Sequence, residues 1–377
     1  MEKIQNYING DLIPPQSGNY INNISPATGE VYSLIPDSDA NDIEMAVIAA
    51  KDAFKTWGKL SKKERYDHIM HLADVIEEHF DVLVKAESRD NGKPEWLAQS
   101  VDIPRASENF KFFATASLHF NSEIHEMDGK AINYTLRQPI GVAGCISPWN
   151  LPLYLLTWKI APALTAGNTV VAKPSEMTPM TAYLFSQICQ KANFPKGVIN
   201  IVHGYGNKVG DALSRHPDVP IVSFTGGTAT GEKIAAAAAP MFKKLSLELG
   251  GKNPNIVFED ADFDKAVTIA VKAAFSNQGQ ICLCGSRLFV HESIYSDFKC
   301  AVIEETKNLK VGDPKDKNSN LGAVISEEHM NKILSCIEKA KLEGGEILIG
   351  GKRLILKGKL KNGYYIEPTI IDGLSVD

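Results

Sequence analysis

Apolar residues recur at helical spacing through Ile43, Ala46, Val47, Ala50, Phe54 and Trp57, which predicts an amphipathic helix. A second helix opens on Ser61-Lys62-Lys63-Glu64, a capping-box pattern, and its apolar stripe runs through Ile69, Leu72, Val75, Ile76 and Leu83. Asn91-Gly92-Lys93-Pro94 then punctuates the chain, and the first 120 residues read as mostly helical. From position 140 the texture changes. Short apolar strands at 140–147, 169–173, 198–202 and 221–224 alternate with helices at 154–164, 179–192, 206–214 and 230–239. Near-continuous apolar strands alternating with helices imply a buried parallel sheet, an α/β architecture. Just before it, 131–138 alternates as a strand and is expected to form one arm of a projecting hairpin. A second series follows: strand 255–258, helix 262–276, strand 287–290 and helix 293–309, with a boundary placed near 249 at Gly250-Gly251.

The length, 377 residues, suggests about two domains. A net charge of −5 without a basic block gives no nucleic-acid footprint, and the basic run from Lys352 to Lys361 reads as a solvated hairpin or loop. No stretch reaches the roughly 18 apolar residues of a membrane span. The longest candidate, from Leu151 to Leu164, is interrupted by Pro152, Lys159 and Pro162. Six sparse cysteines show no disulfide framework, and no second Cys or His pair gives zinc spacing, so no metal is expected. With no apolar signal core at the N-terminus, a soluble cytoplasmic protein is the expectation.

Four stretches combine small residues with reactive ones. Ile146-Ser147-Pro148-Trp149-Asn150 closes a predicted strand, where parallel sheets bind ligands. An Asn there can donate to a developing oxyanion, or can simply form a turn. Lys173-Pro174-Ser175-Glu176 closes the next strand; its charged pair can hold the two hydroxyls of a ribose, or can be a surface ion pair. A carboxylate there disfavours a 2′-phosphate and so argues for NAD over NADP. Glycines follow two further strands, at Gly204, Gly206 and Gly210 and in Phe224-Thr225-Gly226-Gly227. They let backbone approach a pyrophosphate, although the spacing is not the usual Rossmann fingerprint. The last stretch pairs Glu248, expected in an apolar setting that would favour its protonated form, with Cys282, a candidate nucleophile. Cys284 reads as a small buried hydrophobe.

In this order and spacing the stretches resemble the aldehyde dehydrogenase superfamily, over essentially the whole chain. The shared patterns are Pro-Trp-Asn, Lys-Pro-x-Glu, Phe-Thr-Gly-x-Thr-x-x-Gly, Glu-Leu-Gly-Gly-Lys and Gly-Gln-x-Cys. The resemblance implies a Rossmann-like NAD-binding domain (1–118 and 139–249), an oligomerisation hairpin (119–138) and a catalytic domain of which 250–377 is the N-terminal part. It implies that Cys282 attacks an aldehyde, with Asn150 and the Cys282 N–H holding the oxyanion. Hydride passes to NAD, and Glu248 activates the water that hydrolyses the thioester. Glu248 favours that hydrolysis over acyl transfer to CoA. Lys173 and Glu176 would bind the adenosine ribose, and Ser175 would also line the cofactor site. Ile146, Ser147, Pro148, Trp149, Gly206, Gly210, Phe224, Thr225, Gly226, Gly227, Leu249 and Gly250 would shape the rest of the cofactor site. Gly227 stands where many relatives carry Ser, which removes one pyrophosphate contact.

A narrower likeness is to the muconic semialdehyde dehydrogenases. It lies in the segments 102–114, Trp149 to Lys159 and Gln280-Ile281-Cys282-Leu283-Cys284. It implies that Arg105 grips a substrate carboxylate, against the alternative of a surface Arg paired with Glu108. The chain ends after Ile371-Asp372-Gly373-Leu374-Ser375-Val376-Asp377, where the family continues, so a fragment with exposed apolar faces is expected, and a homodimer or homotetramer only at full length. The alternatives are a betaine or aliphatic aldehyde dehydrogenase, an inactive binding protein with the same fold, and a regulatory role for the Cys282 and Cys284 thiols.

Overall fold

The computed structural model describes residues 1–375. Residues 376 and 377, the last two of the expected catalytic domain, lie outside the described residues. A seven-stranded sheet forms the centre. Five parallel strands lie in the spatial order Lys244–Leu249, Ile221–Gly226, Val142–Ile146, Thr169–Lys173 and Ile199–Ile201. The hairpin of Asn6–Ile8 and Asp11–Ile13 extends the sheet antiparallel at the Ile199–Ile201 edge. Val142–Ile146 and Thr169–Lys173 are buried at every position, as strands covered on both faces must be. Helices Pro152–Thr165 and Met180–Lys191 bury Ile160, Leu164 and Phe185 on the sheet, and Ala40–Trp57 also packs against it.

The expected capping box is present: the Ser61 hydroxyl accepts from Glu64 N, and the Glu64 carboxylate accepts from Ser61 N at 2.7 Å. That helix, Lys62–Glu78, stops before His79, so Leu83 belongs to the next helix, Phe80–Asn91. The expected helix over 206–214 is a π-helical turn, Gly206–Gly210, followed by Asp211–Arg215. The first 120 residues are mostly helical, as expected, but the helices begin only at Ala40. The first 36 residues form five strands, two in the main sheet and three in a separate sheet. These strands are short and partly polar, so periodicity is silent. Their readable signal is Asn9-Gly10, both at positive φ (54° and 85°), the two-residue hairpin turn that right-handed strand twist favours.

Ala131–Tyr134 pairs with Ile124–Met127 in an isolated, exposed hairpin; 135–138 is not part of the strand. Beyond Leu249 the chain leaves the main sheet. Pro254–Val257 and Arg287–Val290 form a two-stranded parallel sheet, with helices Phe263–Phe275 and Tyr295–Lys307 packed together beside it. Ile256, Phe258, Leu288 and Phe289 are exposed there. In the basic run, Arg353–Leu354 pairs with Tyr365–Ile366, where Arg353 is exposed but Tyr365 is buried, and a 3-10 turn follows at Gly358–Leu360. No helix among the described residues is long and apolar enough to cross a membrane.

Candidate active site

Register brings the ends of the central strands level. Ile146 pairs with Lys173 on one side and with Phe224 on the other. The loops leaving these ends enclose a groove of about 490 Å³, lined by Ile146, Ser147, Pro148, Trp149, Lys173, Ser175, Glu176, Gly206, Gly210, Phe224, Thr225, Gly226 and Gly227. Leu249 and Gly250 line the adjoining cleft instead, which shares Pro148, Trp149, Thr225, Gly226 and Gly227 with the groove.

Lys173 is 3% exposed, and its Nζ donates to Glu176 Oε2 at 2.6 Å. This is an enclosed pair, not a surface one. Burial works to raise the Glu176 carboxyl. The Lys173 ammonium and the backbone N–H groups of Glu176 and Gly206 outweigh it and hold that carboxyl below its ordinary range. Behind Lys173, His203 is fully buried with neither ring nitrogen bonded. Burial, reinforced by the Lys173 charge, pushes its imidazole down to about 3. Across the groove, Thr228–Ala238 begins at Gly227 with no side-chain cap, so its first N–H groups remain available to an anion. A Cβ on Gly227 or Gly210 would meet nothing within 4 Å. Gly227 therefore leaves open space beside that helix end.

The adjoining cleft, about 620 Å³, gathers Asn150, Glu248 and Cys282 from three distant points of the chain. Asn150 staples its turn to the cysteine loop. Its Nδ2 donates to Gln280 O at 2.9 Å, and its backbone O accepts from Asn277 Nδ2 at 2.9 Å. An amide carries two N–H donors, so one remains for a ligand. The loop itself is unusual, with Asn277 and Gln278 at positive φ (51° and 57°). It is held by Gln278 Nε2 on Ala323 O, by Ile325 N on Gln280 Oε1, and by Asn253 Nδ2 on Cys282 O. Cys282 is exposed, while Cys284 is buried, and burial pushes the Cys284 thiol up.

Glu248 departs from expectation. It is exposed, not enclosed by apolar neighbours. Its strand is the edge of the main sheet, so the flanking Leu247 and Leu249 do not wrap around it. Arg105 lines neither cavity. It is exposed on helix Ile103–Leu118, with its Nη1 3.7 Å from Glu108 and its guanidinium 6.0 Å from the Tyr154 ring centre. That is the alternative pairing the sequence allowed.

Other residues escaped the sequence reading. Lys159 is 5% exposed and donates to Ser223 Oγ at 3.2 Å; burial lowers its proton affinity, and Cys145 and Glu248 partly restore it. Its signal was a lone cation in an apolar helix. Lys252, His329 and Lys332 also line the cleft, and the His329 ring lies edge-on to Trp149 at 5.4 Å. Lys252 closes the Glu-Leu-Gly-Gly-Lys pattern, whereas the sequence around His329 and Lys332 carries no comparable signal.

The sequence model of the Aldehyde dehydrogenase family matches residues 12–377. The chain belongs to the aldehyde dehydrogenase family. It is 51% identical over 371 residues to a mouse (Mus musculus) 2-aminomuconic semialdehyde dehydrogenase, covering 98% of this chain and 76% of that protein. It is 43% identical to a 2-hydroxymuconic semialdehyde dehydrogenase of Pseudomonas sp. (strain CF600), covering 100% of this chain and 78% of that protein. An aldehyde dehydrogenase of Bacillus cereus, solved as its NAD+ complex, superposes with a TM-score of 0.95 at 37% identity, covering 98% of this chain and 75% of that one. The expected aldehyde dehydrogenase residues of this chain, Arg105 excepted, fall in two adjoining cavities.

Proposed function

We propose that this aldehyde dehydrogenase oxidises a muconic-type semialdehyde to the carboxylic acid with NAD, through a thioester on Cys282. The observation that carries the reading is the meeting of Cys282, Asn150 and Glu248 in one cleft continuous with the groove. The groove fits NAD. The Lys173–Glu176 pair suits a ribose diol, the uncapped helix at Gly227 suits a pyrophosphate, and Gly210 leaves room for close approach.

The Cys282 thiolate forms a C–S bond to the carbonyl carbon while the C=O π electrons move to oxygen. The free Asn150 N–H and the Cys282 backbone N–H hold that oxyanion. NAD held in the groove would supply a hydride acceptor, which the thiohemiacetal on Cys282 needs to become a thioester. Glu248, at the solvent side of the cleft, then takes a proton from water as the oxygen attacks the acyl carbon, and the Cys282 thiolate leaves. Arg105, exposed outside both cavities beside Tyr154, is the anchor for a remote carboxylate that reaches beyond the cleft, in exchange for its weak Glu108 contact. Lys252 and Lys332 make the cleft suit an anionic substrate better than a quaternary ammonium.

Residues 250–375 form part of the catalytic unit beside the NAD-binding one. The hairpin of Ile124–Met127 and Ala131–Tyr134, with Ile124, Ile132 and Tyr134 exposed, acts as the arm of a homodimer or homotetramer. Six free cysteines fit a cytoplasmic setting. The test is NADH formation by the purified chain from a carboxylate-bearing semialdehyde. Turnover that vanishes in Cys282→Ala is expected; turnover that persists in this variant overturns the reading.

A further inference from the structure

The Asn91-Gly92-Lys93-Pro94 turn, only a break in the sequence pattern, lies directly behind Asn150. Gly92 ends helix Phe80–Asn91 in the left-handed region (φ 85°), where an added Cβ would meet Ala323 O at 2.8 Å. The next residue, Lys93, is fully buried. Its Nζ donates to Asp102 Oδ1 at 2.9 Å and to the backbone O of Asn150 at 3.0 Å. Asp102 is fully buried too, and closes the π-helical turn Ala98–Asp102. Such turns sacrifice regular helix bonding and occur frequently at functional sites. Asn91 Nδ2 reaches the same Asn150 carbonyl at 3.3 Å and Trp149 O at 2.9 Å.

A third ionisable group completes the cluster. Glu87 is fully buried and accepts from Leu153 N at 3.4 Å; its carboxyl lies against that of Asp102, to which it can donate when protonated. Two carboxylates and one ammonium cannot all be charged without leaving a net buried charge. Burial, then the Asp102 charge, push the Glu87 carboxyl up, so it keeps its proton. Burial also raises Asp102, but the Lys93 ammonium pulls against it and directs the balancing negative charge there. Buried ion pairs add little stability over apolar packing of the same shape. A buried ion pair beneath a substrate-facing turn therefore calls for another role.

We propose that Lys93, paired with Asp102, is a positioning residue that grips the Asn150 backbone carbonyl from behind and so aims the Asn150 amide at the oxyanion. The proposal rests on the oxyanion role given to Asn150 above. Without the ammonium the carbonyl keeps only neutral amide donors, and the turn can shift. A displacement of about 1 Å at such a group is enough to slow chemistry roughly 10²-fold.

The test is first-turnover NADH formation in a double-mutant cycle of Lys93→Met and Asn150→Ala. Lys93→Met alone is expected to slow the first turnover about 10–100-fold with NAD affinity unchanged. In the Asn150→Ala background it is expected to add less than about 2-fold, because its effect passes through Asn150. Multiplicative losses, or a loss confined to NAD affinity, overturn the proposal. Lys93→Met strands Asp102 and can fail to fold, so Lys93→Met with Asp102→Leu provides a variant with no unpaired charge. If that variant melts normally and turns over slowly, the proposal stands; if it turns over at the wild-type rate, the cluster is structural only. If the wild-type chain itself forms no NADH, the functional reading fails separately. The positioning claim is then decided by the crystal structure of this double variant: an Asn150 amide displaced from Gln280 O supports it, and an unmoved amide overturns it.

Discussion

The nucleotide groove and the cysteine cleft share a wall but are built differently. The groove stands on strand ends inside a sheet covered on both faces, and Val142–Ile146 and Thr169–Lys173 bury every residue. The cleft's nucleophile sits on a loop with two left-handed residues, beside a two-stranded sheet whose Ile256, Leu288 and Phe289 are exposed. Order in the groove comes from backbone ladders and apolar packing. In the cleft it comes from individual side-chain bonds: Asn150 to Gln280, Asn277 to Asn150, Gln278 to Ala323 and Lys93 to Asn150. Single polar substitutions should therefore cost chemistry in the cleft, and only affinity or stability at the groove.

The largest expected effect follows from Asn150→Ala, which removes both a staple and an oxyanion donor. kcat should fall about 10²–10³-fold, with NAD binding retained, as measured by steady-state kinetics and titration. A matching loss of NAD affinity would blur the distinction between the regions. Next comes Arg105→Ala, expected to lower kcat/KM for an acidic semialdehyde about 10–100-fold while sparing propanal, since a charged hydrogen bond contributes roughly 1.5–3 kcal/mol. Equal loss on both substrates would leave Arg105 as Glu108's surface partner only.

On the groove side, Glu176→Gln should weaken NAD binding about 10-fold and narrow the preference over NADP, with kcat at saturating NAD unchanged. Calorimetry with both cofactors reads this out, and an unchanged NAD affinity would remove Glu176 from the ribose site. The smallest effect concerns stability. The His203 imidazole has an ordinary value of 6.5 and is held near 3 in the fold. Below the ordinary value the unfolded chain takes up a proton that the folded chain refuses, so stability falls as pH drops toward the folded value. Between pH 7 and pH 5 that amounts to about 2 kcal/mol. His203→Leu should remove this part of the acid sensitivity in denaturant melts, and an unchanged pH slope would refute the assignment.

The same contrast governs what could be read from the sequence. The strand 169–173 and the helix over 154–164 were legible because buried strands and packed helices write their periods into the chain. Cys282, Asn150 and Glu248 were legible only as motifs, since no local period brings 150, 248 and 282 together. Lys93 and Asp102 were not legible at all: a buried ion pair nine residues apart looks in sequence like any two charges. Glu248 shows the opposite failure. Its leucine neighbours suggested enclosure, but at an edge strand adjacent side chains point apart and water reaches the carboxylate. The five N-terminal strands were missed because they are short and partly polar; they pair mainly with one another, and only Tyr7, through Ile201, ties them to the parallel sheet.

The central claim is a covalent acyl group on Cys282, and mass spectrometry of the Glu248→Gln variant tests it most directly. After mixing with semialdehyde and NAD, the account predicts one NADH per chain and a matching acyl adduct on the Cys282 peptide, with Cys284 and Cys336 unmodified. NADH accumulating over many turnovers with Cys282 unmodified, or an adduct on another cysteine, would contradict it.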